Sequence, residues 1–121
     1  PWGDTFDFNN LNCAEAWFGR EFKDDDEFRG WWNSDTESLR EATTTAVMTF
    51  SQGASAAGVW DGSGNVWEWC WDWATASFGR YRVVHGGSWK NMASNCRITE
   101  IGTRSPDSRD DQYGFRVAQG H

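Results

Sequence analysis

The sequence predicts a single α+β domain, irregular and loop-rich, with short antiparallel strands and one or two short helices. Three observations predict it. Aromatic residues make up 17% of the 121 positions, and ten of them are Trp, so a few large flat side chains must fill the core. Thirteen Gly against two Pro imply many turns and close backbone approaches, which leaves little room for long helices. Between Asn65 and Trp73 the residues alternate strictly, with Trp67, Trp69, Trp71 and Trp73 on one face. A period of two marks a strand.

In chain order, Pro1 to about Ser34 reads as loop with short aromatic-anchored pieces. Asp35 to about Ala46 is a helical segment that Asp35 or Thr36 can cap, weakened at its end by a run of Thr. Residues 51–64 are small and glycine-rich, hence loop, and 65–73 form the first strand. Tyr81 to Val84 is a second strand, and Gly86-Gly87-Ser88-Trp89 is a bend into a third. Gly114 to Ala118 is the closing strand, with Phe115 and Val117 inward and Arg116 outward. Lys90 to Tyr113 between them is polar and irregular. A connection of that length in a compact domain usually carries function. No repeat or linker divides residues 1–121, and a start at Pro1 instead of Met reads as N-terminal truncation of one domain.

The net charge of −7 argues against nucleic acid as a partner. It is uneven: residues 1–80 hold fourteen acidic and five basic groups, residues 81–121 four acidic and six basic. The run Asp24-Asp25-Asp26-Glu27 reads as a solvated loop, part of which can hold a cation. No apolar run has the length of a membrane-spanning helix. Cys13, Cys70 and Cys96 have no CxxC spacing, and with only His85 and His121 to assist they do not suggest zinc. One disulfide and buried free thiols both remain open.

Gly64-Asn65-Val66-Trp67-Glu68-Trp69, Arg82-Val83, Gly86-Gly87-Ser88-Trp89, Ala93, Cys96-Arg97, Pro106-Asp107 and Gly114-Phe115-Arg116 together resemble the formylglycine-generating-enzyme (sulfatase-modifying factor) family. Pro1-Trp2-Gly3-Asp4 resembles another of its segments. The resemblance implies a C-type lectin fold, and the C-terminal third is most similar to the variable proteins of diversity-generating retroelements. Those proteins display hypermutated side chains to ligands.

For the family's oxidases the resemblance implies two copper-binding cysteines five residues apart. The later falls on Cys96 and the earlier on Asn91, which cannot supply the second soft thiolate that copper(I) prefers. No iron-binding histidine set is present either, so a non-enzymatic member is implied. The family also implies structural calcium, held by Asp61 and Glu68 side chains with the Gly64 and Val66 carbonyls. A weaker second site would use Glu15, Ala16, Asp26 and Phe28. Calcium takes six or more oxygen ligands, which such loops provide.

The variable-protein likeness implies that residues 90–113 form the ligand-binding region. Codons of the AAC type, randomised at adenine, can yield Asn91, Ser94, Asn95, Ile98, Thr99, Ile101, Gly102, Thr103, Ser105, Ser108, Asp110, Asp111 and Tyr113. Lys90, Met92, Glu100 and Gln112 cannot arise that way, although Glu100 and Gln112 stay in the candidate binding set. Trp89 and Phe115 would anchor the core. The implied partner is a protein or cell-surface ligand, met at a virion tip or on a cell surface. The sugar-binding EPN and QPD motifs are absent.

Overall fold

The computed structural model describes residues 2–3 and 5–119; expectations resting on Pro1, Asp4 and His121 lie outside these. The first third, expected to be loop, contains helices α1, Ala14–Phe18, and α2, Asp25–Trp32. The acidic run is the start of α2 and not a solvated loop. Asp24 accepts the Glu27 N–H at 2.8 Å, and Glu27 accepts the Lys23 N–H at 2.6 Å. Asp25, Asp26 and Glu27 sit at the positive end of the helix dipole. Arg20 binds Glu27 at 2.5 Å and holds its carboxyl near about 2. α3 spans Glu37–Glu41 after Thr36, shorter than expected because the β-branched Thr43-Thr44-Thr45 run disfavours helix.

Among the described residues four short strands form one sheet: β1, Trp67–Trp73; β2, Arg82–His85; β3, Ile101–Arg104; and β4, Tyr113–Gly114. Their order is β3-β2-β1-β4. β1 pairs antiparallel with β2, and β2 with β3, whereas β4 runs parallel to β1. β3 lies in a stretch expected to be irregular. Its Gly102 makes room for the sheet, since a Cβ there would stand 3.1 Å from Val84 and 3.5 Å from Trp67. The glycine bend leads to a 3₁₀ turn, Ala93–Asn95, and not to a strand.

Two further expectations are corrected. Phe115 and Val117 do not point inward; they are 77% and 83% exposed. The Arg116 guanidinium instead reaches in to Glu68, at 2.6 and 3.0 Å, and to the Trp60 carbonyl at 2.7 Å. Of the expected closing strand Gly114–Ala118 only Gly114 lies in a strand, β4, and the irregular chain after it leaves both neighbours of Arg116 in solvent. The tryptophan face of β1 is buried only at its start. Trp67 is buried and Trp69 packs on Tyr113 at 5.6 Å, but Trp71 is 89% exposed. Trp73 lies against the Arg82 guanidinium, 3.7 Å from the ring centroid, a cation–π contact that shields an otherwise open ring.

The core joins Leu11, Cys13, Ala93 and Cys96 beneath Trp2, Phe6 and Phe8. Beside it, Phe18, Phe22, Phe28, Trp31 and Trp32 form an aromatic layer that meets Trp89 at 6.3 Å. A buried amide pair ties the loops together. Asn12 donates to Asn65 at 3.1 Å and to the Thr43 carbonyl at 2.9 Å, and its oxygen accepts from the Trp17 indole at 2.7 Å.

All three cysteines are free thiols. Burial pushes Cys13 up to about 12 and raises Cys96 as well, and neither has any exposed surface. Because the thiolate is the reactive form, a thiol reagent at mildly alkaline pH is expected to label Cys70 alone in the native protein, and slowly. All three should react once the chain is unfolded. Labelling of two thiols in the native state would contradict this packing.

Candidate ligand-binding face

The C-terminal segment is built on a frame that begins at the double glycine. Gly86 and Gly87 have φ of 93° and 73°. A Cβ on Gly87 would lie 2.6 Å from the Asn95 carbonyl oxygen and 2.7 Å from the Cys96 sulfur, so only glycine fits. Ser88, Trp89, Ala93 and Cys96 are buried behind this bend. Glu15, itself buried, accepts the Ala93 N–H at 2.7 Å and so holds the 3₁₀ turn.

Asn91 belongs to the frame and is not displayed. Its side-chain oxygen accepts from the Trp67 indole at 2.9 Å, the Ser88 N–H at 3.0 Å and the Ser88 hydroxyl at 2.8 Å. Its backbone carbonyl accepts the Ala14 N–H at 2.9 Å. Tyr113 is also engaged inward, its ring tilted against Trp69 and its hydroxyl accepting from Arg104. Gln112 is half-buried, its carbonyl accepting the Trp67 N–H at 2.7 Å.

The exposed positions fall into three groups. Ser94, Asn95, Ile98 and Thr99 lie on the 3₁₀ turn and the loop after it. Ile101 and Thr103 share the outer side of β3. Asp110 and Asp111 flank Lys90, whose ammonium lies 3.1 and 2.5 Å from them. The hydrogen bond to Asp111, then Lys90, holds the Asp110 carboxyl near about 2. Glu100, Gly102, Ser105 and Ser108 are half-buried. Main-chain bonds order this segment, among them Asn95 to Met92 at 2.8 Å, Glu100 to Arg97 at 2.8 Å and Gly86 to Glu100 at 3.1 Å. Of the exposed side chains, Asp110 adds to that order by accepting the Gln112 N–H at 3.2 Å.

Asp61, Val66 and Glu68 line one hollow with Arg116, and Gly64 is close by in sequence. As placed, these groups do not fit calcium. Both Glu68 oxygens are spent on Arg116, and one Asp61 oxygen accepts the Met48 N–H at 2.8 Å, which leaves too few of the oxygens calcium needs. Of the weaker set, Glu15 is turned into the core while Asp26 has 93% of its side chain exposed. Ala16 and Phe28 lie within α1 and α2, and the two carboxylates do not converge. With Arg116 as the resident cation, the melting temperature is expected to shift by no more than about 1 °C between millimolar calcium and chelator, against the roughly 4 °C or more that saturating binding of a stabilising ion gives a domain of this size. A larger rise, lost in Glu68→Gln, would show that calcium displaces Arg116.

Sequence reasoning did not find the Asn12–Asn65 pair, the Glu15 brace or a cleft between the N-terminal aromatics and Arg97. Asparagine and serine in glycine-rich stretches carry the same signal whether they make turns or fill buried positions.

A small mixed sheet set against short helices, with a long irregular segment held by main-chain bonds, defines a C-type lectin-like domain. The chain belongs to the sulfatase-modifying factor enzyme 1-like domain family, whose pattern matches residues 1–121. It is 31% identical to the inactive C-alpha-formylglycine-generating enzyme 2 of Bos taurus, over 99% of this chain and 37% of that protein. It is 36% identical to the formylglycine-generating enzyme of Streptomyces coelicolor, over 50% of this chain and 25% of that one. Among solved structures, Treponema denticola variable protein 1 matches with a TM-score of 0.50 and 24% identity, over 95% of this chain and 52% of that chain. The chain spans between 15% and 37% of the length of the curated relatives it matches.

Proposed function

We propose that this domain is a non-enzymatic, ligand-binding variable protein of a diversity-generating retroelement, presenting changeable side chains to a protein or cell-surface ligand. One observation carries the reading: within residues 90–113, the four positions closed to adenine randomisation are half-buried, whereas eight of the thirteen open to it are exposed. Lys90, Met92, Glu100 and Gln112, which adenine randomisation of an AAC codon cannot produce, are all half-buried. Ser94, Asn95, Ile98, Thr99, Ile101, Thr103, Asp110 and Asp111, which it can produce, are all exposed. The name of the structural neighbour, a variable protein, supports the same reading. Exposed Ile98 and Ile101 favour a protein surface as the ligand, since apolar anchors dominate such contacts.

The family's oxidase chemistry is the competing reading. Asn91 occupies one of its two cysteine positions. Cys96 shares the core with Cys13, but both are fully buried, where no peptide thiol can reach them. Sequencing the surrounding DNA tests the proposal: it requires a near-identical repeat that differs mainly at adenines, beside a reverse-transcriptase gene. A missing repeat would refute the retroelement origin, and copper-dependent aldehyde formation on a cysteine-containing peptide would refute the non-enzymatic reading.

A further inference from the structure

We infer that the cleft between the N-terminal aromatics and the Arg97–Thr99 loop binds a carboxylate carried on an apolar or aromatic body. The inference goes beyond the function proposed above: its polar anchors, Ser63 and Arg97, lie outside the diversifiable set, to which only Ile98 and Thr99 of this lining belong. The cleft measures about 380 Å³ and is lined by Trp2, Phe6, Ser63, Arg97, Ile98 and Thr99. That size suits a small organic acid or one side chain of a partner.

Two observations point to a ligand. Ser63 is 3% exposed, and its hydroxyl is the one buried side-chain polar atom without a hydrogen-bond partner among the described residues. Buried hydroxyls are normally satisfied, so an orphan in a cleft wall marks the place of a missing polar atom. The Arg97 side chain, which also lines this cleft, has no ion pair or hydrogen bond among the described residues. Arg20, Arg29, Arg40 and Arg116, by contrast, each hold a carboxylate. Arg80 and Arg109 are likewise unengaged, but they stand away from this cleft.

The chemistry of the walls selects the class. A guanidinium presents a planar fork that matches a carboxylate with two parallel hydrogen bonds. One cation balances a monoanion, and a chain of net charge −7 disfavours phosphates or polyanions. Trp2 and Phe6 pack edge to face at 6.2 Å, and the Trp2 indole N–H is committed to the Thr5 carbonyl at 3.0 Å. The rings therefore offer an apolar wall, opposite Ile98, to the body that bears the acid. A free small acid and a Glu side chain of a partner protein share this chemistry.

The test follows the Trp2 indole N–H by NMR in the whole chain during titration with phenylacetate, phenylacetamide and acetyl-Phe-Glu-amide. At least one acid is expected to bind about tenfold or more tightly than the neutral amide, because the charged hydrogen bonds are lost with the charge. Arg97→Gln should weaken acid binding by about tenfold and Ser63→Ala by about threefold. An unchanged Trp67 indole signal shows that each variant remains folded. Preference for the free acid or for the peptide assigns the source of the carboxylate. Equal binding of phenylacetate and phenylacetamide with no response to the peptide, or acid binding within about twofold of wild type in Arg97→Gln, overturns the inference.

Discussion

Gly87→Ala is expected to leave little or no folded domain at room temperature. Its φ of 73° costs a non-glycine residue about 1–2 kcal/mol. The added Cβ would also stand 2.6–2.8 Å from the Asn95 carbonyl oxygen and from Cys96. These are backbone atoms and a core sulfur, which cannot yield without moving the 3₁₀ turn. The total should reach about 4 kcal/mol or more, the exceptional range for one substitution and close to the whole stability of a marginal domain. Gly58→Ala is the control: φ there is 76°, but nothing lies within 4 Å of the new Cβ, so about 1 kcal/mol is expected. Thermal melts read by circular dichroism compare the two. Equal melting temperatures would mean that the Gly87 approach is not tight.

Asn91→Ala is expected to destabilise by about 3 kcal/mol or more, since three donors converge on the lost oxygen and each unsatisfied buried group costs about 1–3 kcal/mol. The donors are the Trp67 indole and both the N–H and the hydroxyl of Ser88, and Trp67 and Ser88 are buried. Ser94→Ala, three residues along and exposed, should change stability by less than about 0.5 kcal/mol. Urea melts of both variants give the comparison. If the two cost the same, Asn91 is a displayed residue and the division between frame and surface is misplaced.

How much of this was legible beforehand depended on which physical signal each residue carries. The tryptophan alternation placed β1, and the double glycine placed the bend, because period and left-handed backbone are local properties. β3 was not legible: Ile101-Gly102-Thr103-Arg104 is too short and polar to declare itself, and it becomes a strand only because Gly102 lets Val84 and Trp67 approach. α2 was hidden by its acidic start, which looks like solvated loop until Asp24 is seen to cap it. Phe115 was misplaced because hydrophobicity alone does not reveal that Arg116 and Glu68 pair 48 residues apart. At the site, Asn91 resembled its polar neighbours in residue type, and only its three donors set it apart. Ser63 lay in a glycine-rich turn and gave no sign of burial.

Main-chain bonds and buried glycine, asparagine and aromatic residues fix the C-terminal segment, whatever most of its outer side chains are. The direct measurement is the melting curve of one variant in which Ser94, Asn95, Ile98, Thr99, Ile101, Thr103, Asp110 and Asp111 are all exchanged for other soluble side chains. Surface changes of this kind are individually worth about 0.5 kcal/mol or less and partly cancel, so a single cooperative transition within roughly 5 °C of the parent is predicted. Loss of cooperativity, or a fall comparable to that of Asn91→Ala, would contradict it.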